Sequence, residues 1–403
     1  MKNIKADKIF FPFQPIRERH DFFVGRTKFI EKALDSISTE GSCTIFYGER
    51  QVGKTSLGNQ ILNIVNERIP EYQETFKNFK SVWYDCKQSD QNIEGALSAL
   101  VTSEGKNSLQ SVFKVAFEDS RTIKLKEKIS IIYSSLFGSD PVAKKGKYHF
   151  GEVFHLFQQI LDIIHDYYPQ SRVLIFLDEF DRLSRKDGIG DLIKSTYNAQ
   201  FIFIGIAENI EEIIYDHQSA GRKLYGNLFK IPTLNNDELT EIFLRAEVQS
   251  EGKIQFDKKF IRQACDDSGG LPGFIHLIGL YAIRMKKKEI DEPIRIEAND
   301  YPIIVNEILG LDEIETSNFL DPRLTMLNDI IKNDRNSMEI LSILSEFNKG
   351  LRLTDLYDKV SPDFRGFFDS RIRNLLDNQI IRTQGDRIKF QDPLIKIGMK
   401  VLK

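Results

Sequence analysis

The stretch that decides the fold is a glycine-containing loop. Residues 48–56 read Gly48-Glu49-Arg50-Gln51-Val52-Gly53-Lys54-Thr55-Ser56. The loop follows an apolar run, residues 43–47, and precedes a segment, residues 57–65, whose apolar side chains share one helical face. The pattern therefore predicts a strand, a glycine loop and a helix, which is the context that a phosphate-binding loop requires. The alternative is an ordinary glycine turn before a helix.

The residue types of this loop suit a nucleoside triphosphate. Glycines let the backbone turn tightly enough for N–H groups to point at phosphate oxygens, and a helix N-terminus adds partial positive charge. Lys54 would bring a full charge to the β- and γ-phosphates, and the Thr55 hydroxyl would ligate Mg²⁺. The sequence thus predicts ATP and Mg²⁺ as cofactors, held by residues 48–56.

A second informative stretch is residues 172–181, where an apolar run ends in Asp178 and Glu179. Such a run predicts a strand buried on both faces, whose carboxyl end lies beside the phosphate loop in a parallel sheet. Asp178 would hold Mg²⁺, directly or through water, and Glu179 would act as general base on the attacking water. A strand ending in a solvated acidic turn is the alternative.

Further apolar runs predict the rest of an α/β core. Strands are expected at residues 81–86, 201–209 and 228–232, and helices at 27–37, 92–101 and 153–167. Asn209, or Glu208 beside it, follows a buried strand and could reach the γ-phosphate or the attacking water. Arg222 is a candidate to complete the site of a neighbouring subunit, and a surface arginine is the alternative.

Residues 103–148 fit no simple βα unit, since they hold nine Lys/Arg against five Asp/Glu. Their apolar residues predict short strands or a hairpin, followed by a loop over 138–147. A solvated excursion is favoured over a contact with a partner or a nucleic acid. The apolar residues are Val112, Phe113, Val115, Phe117, Ile123, Leu125 and Ile129.

The domain organisation follows from these patterns. Residues 1–20 are expected to form an extended arm, because Pro12 and Pro15 disfavour helix, and the arm should pack its aromatic side chains on the body. Beyond it we expect an ATPase core (21–233, with the insertion 103–148), a fully helical lid (234–290), a linker with helical stretches (291–330) and a winged helix (331–403).

The last segment predicts three helices, 338–347, 353–360 and 363–376, followed by strands at 379–383 and 387–391, which describe a winged helix. Residues 331–403 carry 14 Lys/Arg against 10 Asp/Glu. Three arginines on the third predicted helix could reach duplex DNA. They could equally form a solvated face, because winged helices often mediate only protein contacts. These arginines are Arg365, Arg371 and Arg373.

The whole-chain composition sets outer limits. The 403 residues carry a formal net charge of −3, which argues against a nucleic-acid surface along the whole chain. The cysteines, Cys43, Cys86 and Cys265, have neither metal-ligand spacing nor the even count of a disulfide framework. No signal-type segment and no run of 18 apolar residues occurs, so we expect a soluble, cytoplasmic protein with no membrane contact.

These pieces in this order resemble the AAA+ ATPases of the Orc1/Cdc6-like and STAND groups, over about residues 20–400. The fold implied is a P-loop core with a parallel sheet, an α-helical lid and a C-terminal winged helix. Residues 48–56 resemble Walker A, and residues 177–179 resemble the end of Walker B. Phe23-Val24-Gly25-Arg26 is similar to the family element that lies against the adenine.

The resemblance also implies further roles. Asn209 stands at the place of the sensor 1 residue, and Arg222 at the place where Orc-like members often carry an arginine finger. Gly270-Leu271-Pro272 resembles the Gly-x-Pro motif of STAND proteins, where the lid meets the nucleotide. Typical AAA+ enzymes use a sensor 2 arginine instead, so this departure favours a slow switch over rapid turnover.

Three functions follow as hypotheses. The first is an ATP-driven switch that self-associates through the ATPase core, or changes its contacts with an effector protein, according to the nucleotide. The second is a DNA-binding AAA+ ATPase, origin-binding or transposition-like, with the winged helix on duplex DNA. The third is a scaffold with a vestigial loop, against which the intact set Lys54, Thr55, Asp178 and Glu179 argues.

Overall fold

The structure is a computed structural model. The chain divides into two compact units: a core unit, residues 16–232, and a second unit, which joins residues up to 15 with 233–403. The residues described are 6–69, 72, 76, 78–137, 151–185, 188–207, 226–286, 293–309, 322–347, 350–391 and 393–402.

The described part of the core unit contains a five-stranded sheet in the order β2-β3-β4-β1-β5, with every pair of neighbours parallel. The strands predicted for the α/β core outside the insertion are present, with residues 208 and 209 of the predicted run 201–209 outside the described residues. Because carboxyl ends of parallel strands meet at one edge, the segments after β1, β3 and β4 share that edge. The strands are β1 (Cys43–Gly48), β2 (Phe79–Asp85), β3 (Arg172–Asp178), β4 (Ala199–Ile206) and β5 (Leu228–Lys230).

Helices connect these strands, and the three predicted at 27–37, 92–101 and 153–167 are confirmed. The helix after the glycine loop, α2, packs closely on the sheet at Gly58. A Cβ there would lie 2.4 Å from the Ile204 side chain and 3.0 Å from the Trp83 ring. The helices are α1 (Thr27–Ser38), α2 (Lys54–Val65), α3 (Ile93–Thr102), α4 (Leu109–Val112), α5 (Lys114–Glu118), α6 (Ser120–Phe137), α7 (Glu152–Tyr167) and α8 (Ile189–Ser195).

The prediction of strands or a hairpin in the insertion is wrong for its described part, which consists of α4, α5 and α6. Phe113 and Phe117 lie one helical turn apart, and both join the core cluster with Ile129 and Ile132. A spacing of three and four residues is the helical period, which the β-branched residues of this segment obscured. The loop expected at 138–147 lies outside the described residues.

The segment predicted to be a lid contains helices and part of a small sheet. The prediction that it is fully helical is wrong, because β6 pairs in parallel with β7. The segment expected to be a linker with helical stretches, residues 291–330, supplies β7 and one of the helices given below, and the next helix begins within it at Pro322. The elements are α9 (Asn236–Gln249), β6 (Ile254–Phe256), α10 (Lys258–Asp267), α11 (Pro272–Lys286), β7 (Ile294–Ile296) and α12 (Asp300–Leu309).

The N-terminal arm packs on helices of the second unit through two aromatic side chains, Phe10 and Phe11. Phe10 is 1% exposed, and a Cβ added at Gly279 would lie 2.4 Å from its ring. Its ring meets those of Phe243 and His276 edge-on, at centroid distances of 6.1 and 5.9 Å, and the Phe11 ring meets that of His276 at 6.0 Å. Phe13, by contrast, is 77% exposed. The expected packing of arm aromatics is therefore confirmed for Phe10 and Phe11 and wrong for Phe13.

The C-terminal part carries a three-stranded antiparallel sheet in the order β8-β10-β9. Its order of elements fits the predicted winged helix, with one strand added. The third predicted helix begins at Phe368 rather than 363, after a 3-10 segment, Pro362–Phe367. The elements are α13 (Pro322–Asn333), α14 (Arg335–Ser345), β8 (Leu351–Arg352), α15 (Leu353–Lys359), α16 (Phe368–Asp377), β9 (Ile381–Gln384), β10 (Arg387–Phe390) and α17 (Pro393–Leu402).

Cys43, Cys86 and Cys265 are free and buried. Among the helices that the structure describes, none combines the length and the apolar character needed to cross a bilayer.

Candidate active site

The glycine loop adopts the conformation that its sequence predicts. It leaves β1 at Gly48, whose φ of 143° and close approach to the backbone both require glycine: a Cβ there would lie 2.7 Å from the Ile231 carbonyl oxygen. It enters α2 at Gly53, which has a φ of 91°. The first N–H groups of a helix have no partner within the helix, so the start of α2 offers donors to an anion.

Lys54 lies inside this loop and is only 8% exposed. Its Nζ donates to the carbonyl oxygens of Gly48 at 3.0 Å and Glu49 at 2.5 Å. Burial lowers the pKa of Lys54 to about 8, although the negative charges of Asp181 and Asp178 oppose the shift. The loop therefore holds a buried ammonium group whose charge an incoming phosphate would favour.

Asp178 and Thr55 are brought together as predicted. Asp178, at the end of β3, is 3% exposed, accepts the Glu179 N–H at 2.8 Å and hydrogen-bonds the Thr55 side chain. Burial raises the pKa of Asp178 to about 6 against these two hydrogen bonds, which lower it. The paired hydroxyl and carboxylate oxygens are hard donors that suit a cation, and a cation beside them would favour the charged carboxylate.

This donor set fits Mg²⁺ rather than a metal held by protein alone. Within the described ranges there is no group of three or more His, Cys, Asp and Glu side chains placed to hold a metal ion. Mg²⁺ commonly keeps several waters and binds through one or two protein oxygens plus phosphates. Thr55 and Asp178 therefore supply what a nucleotide-bound Mg²⁺ needs from the chain.

Glu179 follows Asp178 directly and has a left-handed backbone, with a φ of 53°. Its carboxylate is paired with Arg182 through Nη2–Oε1 at 3.0 Å and Nε–Oε2 at 2.9 Å. The Arg182 N–H also donates to the Glu179 carbonyl oxygen at 2.9 Å. Sequence reasoning missed Arg182, although its spacing of three residues from Glu179 was a usable signal.

The element predicted to lie against the adenine contacts the phosphate loop. Val24 and Arg26 are each 7% exposed, and Gly25 and Arg26 both have left-handed backbones, with φ of 65° and 66°. Arg26 precedes α1, and its Nη2 donates to the Val52 carbonyl oxygen at 3.0 Å. Arg26 thus supports the backbone of the loop, and an adenine contact of this element stays a prediction.

Ser56 connects the loop helix to the segment that precedes α1. Its Oγ accepts the Ile16 N–H at 3.1 Å, and about two helical turns further along, Asn63 Nδ2 donates to the Arg17 carbonyl oxygen at 2.5 Å. Arg50 and Gln51 are exposed at the tip of the loop. The Ser56 side chain therefore serves the fold, and its predicted nucleotide contact remains a prediction.

Three further candidate site residues, Glu208, Asn209 and Arg222, lie outside the described residues, and their roles stay predictions. Pro272 begins α11 in the second unit. The preceding Gly270 needs its φ of 83°, because a Cβ there would lie 2.6 Å from the Thr233 side chain.

The three arginines expected on the winged helix differ in their surroundings. Arg365 lies in the 3-10 segment, where its guanidinium donates to the Asp358 carbonyl oxygen at 3.0 Å and stands 5.2 Å from the Tyr357 ring centroid. Arg371 is paired with Asp334 at 3.2 Å, and Arg373 is exposed. The prediction that all three lie on the third helix is wrong for Arg365, because the helix begins three residues later.

Comparison with known proteins supports the fold. No protein-family model matches the sequence, and no curated protein sequence is similar to it. Among solved structures, the chain is similar to the Walker-type ATPase PABY2304 of Pyrococcus abyssi. That likeness has a TM-score of 0.52 and 17% sequence identity, and covers 96% of this chain and 99% of that chain.

Two further likenesses are weaker, with TM-scores below 0.5, and add nothing to the assignment. The ORC2 protein of Aeropyrum pernix, solved with ADPNP and ADP, has a TM-score of 0.48 and 13% identity, over 95% of this chain and 97% of that chain. The ORC1 protein of Aeropyrum pernix, solved with DNA, has 0.45 and 13%, over 97% and 93%. The parallel sheet, the glycine loop after β1 and the acidic end of β3 show that this chain has the fold of a Walker-type P-loop ATPase.

Proposed function

We propose that the protein is an AAA+ molecular switch that binds ATP with Mg²⁺ and hydrolyses it slowly. The observation that carries the proposal is the meeting of Lys54, Thr55 and Asp178 at the carboxyl edge of the parallel sheet. A buried ammonium group beside hard oxygen donors and a helix N-terminus is suited to a triphosphate with its cation.

Each side chain has a separate task in this proposal. The loop N–H groups and Lys54 bind the β- and γ-phosphates, and Thr55 with Asp178 holds Mg²⁺, which when bound neutralises charge on those phosphates. Glu179 accepts the proton of the attacking water. To do so its carboxylate must offer a lone pair that Arg182 does not occupy.

Two observations support slow turnover. The carboxylate of Glu179 has both oxygens engaged by the Arg182 guanidinium, so part of its capacity to accept a proton is already used. In the second unit, the loop Gly270-Leu271-Pro272 carries no arginine where typical AAA+ enzymes are expected to have one. Both features favour long residence in one nucleotide state over continuous hydrolysis.

The partners follow from the switch. We propose that copies of the chain associate through the ATPase core, with Arg222 completing the site of a neighbour, because a permanently charged, planar guanidinium suits a γ-phosphoryl group. An effector protein would bind differently to the two nucleotide states. Duplex DNA is the alternative partner. Two of the three candidate arginines are held within their own domain, whereas Leu353, Tyr357 and Phe367 are exposed, which favours a protein contact.

The first test is substitution of the loop lysine. Lys54→Ala should abolish measurable binding of ATP and ADP in calorimetry, and with it phosphate release, because the buried charge opposite the phosphates is lost. Lys28→Ala, which removes an exposed lysine on α1, is the matched control and should bind as the wild type does. Unchanged nucleotide affinity in Lys54→Ala would contradict the proposed site.

The switch itself is tested by the mass of the protein in solution. We expect light scattering to give a larger mass with a non-hydrolysable ATP analogue than with ADP. Equal masses in both nucleotide states would reject self-association as the output of the switch.

Mixing two inactive variants tests whether the site is shared between copies. Mixing Arg222→Ala with Lys54→Ala should restore part of the ATP hydrolysis, because one interface combines an intact loop with an intact arginine.

A further inference from the structure

In the described part of the core sheet, the last residues of β4 have a strand partner on the β1 side but none on the β3 side. The last residues paired between β3 and β4 are Leu177 and Phe203, because β3 turns away after Asp178, whereas β4 continues to Ile206. On its other side, Ile206 pairs with Gly48, the first residue of the phosphate loop. The end of β4 therefore borders the loop on one side and lies beyond the ladder with β3 on the other.

The side chain of Asp181 provides a hydrogen-bond acceptor for β4 beyond its pairing with β3. Asp181 lies in the short 3-10 turn that follows Glu179, and its Oδ1 accepts the Ile206 N–H at 2.8 Å. The turn approaches β4 closely at Gly205, where a Cβ would lie 3.3 Å from the Asp181 nitrogen. One carboxylate thus joins the acidic turn after β3 to the strand end beside the phosphate loop.

Asp181 therefore supplies a hydrogen bond that places the backbone at the end of β4. This task is neither that of a metal ligand nor that of the general base, which the preceding carboxylates fill.

We propose that Asp181 is a positioning residue of the phosphate site, which holds the end of β4 beside the first glycine of the loop. This inference rests on the proposed ATPase function and deepens it. Asn209, the candidate for the γ-phosphate, follows Ile206 by three residues in the sequence.

Two substitutions separate the hydrogen bond from the charge. Asp181→Asn keeps an oxygen that can accept the Ile206 N–H and loses the charge, whereas Asp181→Ala loses both. Asp191→Ala, which removes an exposed carboxylate on α8, is the control. In hydrogen exchange without nucleotide, amides at 204–207 should exchange about 2- to 10-fold faster in Asp181→Ala, as expected for one lost hydrogen bond, and unchanged in the other two.

Turnover gives the second readout. We expect kcat for ATP hydrolysis to fall about 10- to 100-fold in Asp181→Ala, the size of effect caused by a small misplacement in a site. Affinity for ADP should be retained, and Asp181→Asn should recover most of kcat. Loss of ADP affinity and thermal stability together with kcat, without rescue by asparagine, would mean a merely structural role and would overturn the inference.

The two proposals fail in different ways. Wild-type exchange at 204–207 in Asp181→Ala, or a wild-type kcat in that variant, would reject the role of Asp181. A wild-type protein that neither binds nor hydrolyses ATP would reject the proposed function, while the exchange comparison would still decide whether Asp181 holds β4.

Discussion

Two buried charged clusters, one in each unit, differ in what surrounds the charge. In the core unit, Lys54 reaches two backbone carbonyl oxygens, and burial shifts the pKa of Lys54 down to about 8 and that of Asp178 up to about 6. In the second unit, Asp267 accepts hydrogen bonds from Tyr301 Oη at 3.0 Å, Gln263 Nε2 at 2.8 Å and Lys400 Nζ at 3.1 Å.

This difference distinguishes a candidate ligand-binding site from a cluster that stabilises the fold. Burial disfavours the charged forms of Lys54 and Asp178, and interactions within the protein offset this only in part. Groups with such shifted pKa values are typical of functional sites, where a bound ligand can supply the opposite charge. The carboxylate of Asp267 is surrounded by donors from α10, α12 and α17, so its burial is offset within the protein. We therefore expect changes in the first cluster to affect chemistry and changes in the second to affect stability.

Among the substitutions that leave nucleotide binding intact, Glu179→Gln should have the largest effect on chemistry. The amide keeps the shape of the side chain and leaves Asp178 in place, but it cannot take a proton from water, so hydrolysis should slow about 10²- to 10⁴-fold. ATP binding, measured by calorimetry, should persist. A variant with wild-type turnover would show that another group activates the water.

Substitutions of Asp267 in the second unit should lower the free energy of unfolding. Asp267→Ala leaves the buried Tyr301 hydroxyl without this acceptor and should lower the free energy of unfolding by about 1–3 kcal/mol. Asp267→Asn keeps an acceptor and weakens only the pairing with Lys400, whose side chain is 42% exposed, so it should cost below about 1 kcal/mol. Urea unfolding followed by circular dichroism measures both.

Equal losses in the two Asp267 variants would contradict this reading, because they would mean that the ion pair carries the energy and the hydrogen bonds do not. The comparison between the clusters would be sharpened if neither variant changed the affinity for ADP.

The smallest effect concerns duplex DNA, measured by fluorescence anisotropy at several salt concentrations. If the C-terminal helices contact DNA, Arg373→Ala should weaken binding and reduce the salt slope by about one, because the exposed Arg373 is free to meet a phosphate. Arg371→Ala should act mainly on stability, through its pair with Asp334. Absence of duplex binding by the wild type at low salt would reject the DNA alternative.

The local sequence pattern was sufficient to predict the core of the α/β fold. The loop at residues 48–56 and the acidic end of β3 were predictable because a strand, a tight glycine turn and a helix each leave a short-range period in the sequence. The insertion was mispredicted because α4 and α5 are too short for a helical period to stand out, and because β-branched residues obscured the period of the longer α6. The two residues of β8 likewise carry no recognisable pattern.

The sequence by itself determined which residue types are available to a nucleotide: the glycines, Lys54 and Thr55 in one loop, and Asp178 and Glu179 at the end of a strand much later in the chain. Only the tertiary structure brought Asp178 to Thr55 and decided which polar groups are already engaged with distant segments. Asp181 accepts a hydrogen bond from Ile206, and Arg371 is paired with Asp334. These partners depend on backbone turns and on packing between distant segments, so no local period in the chain records them.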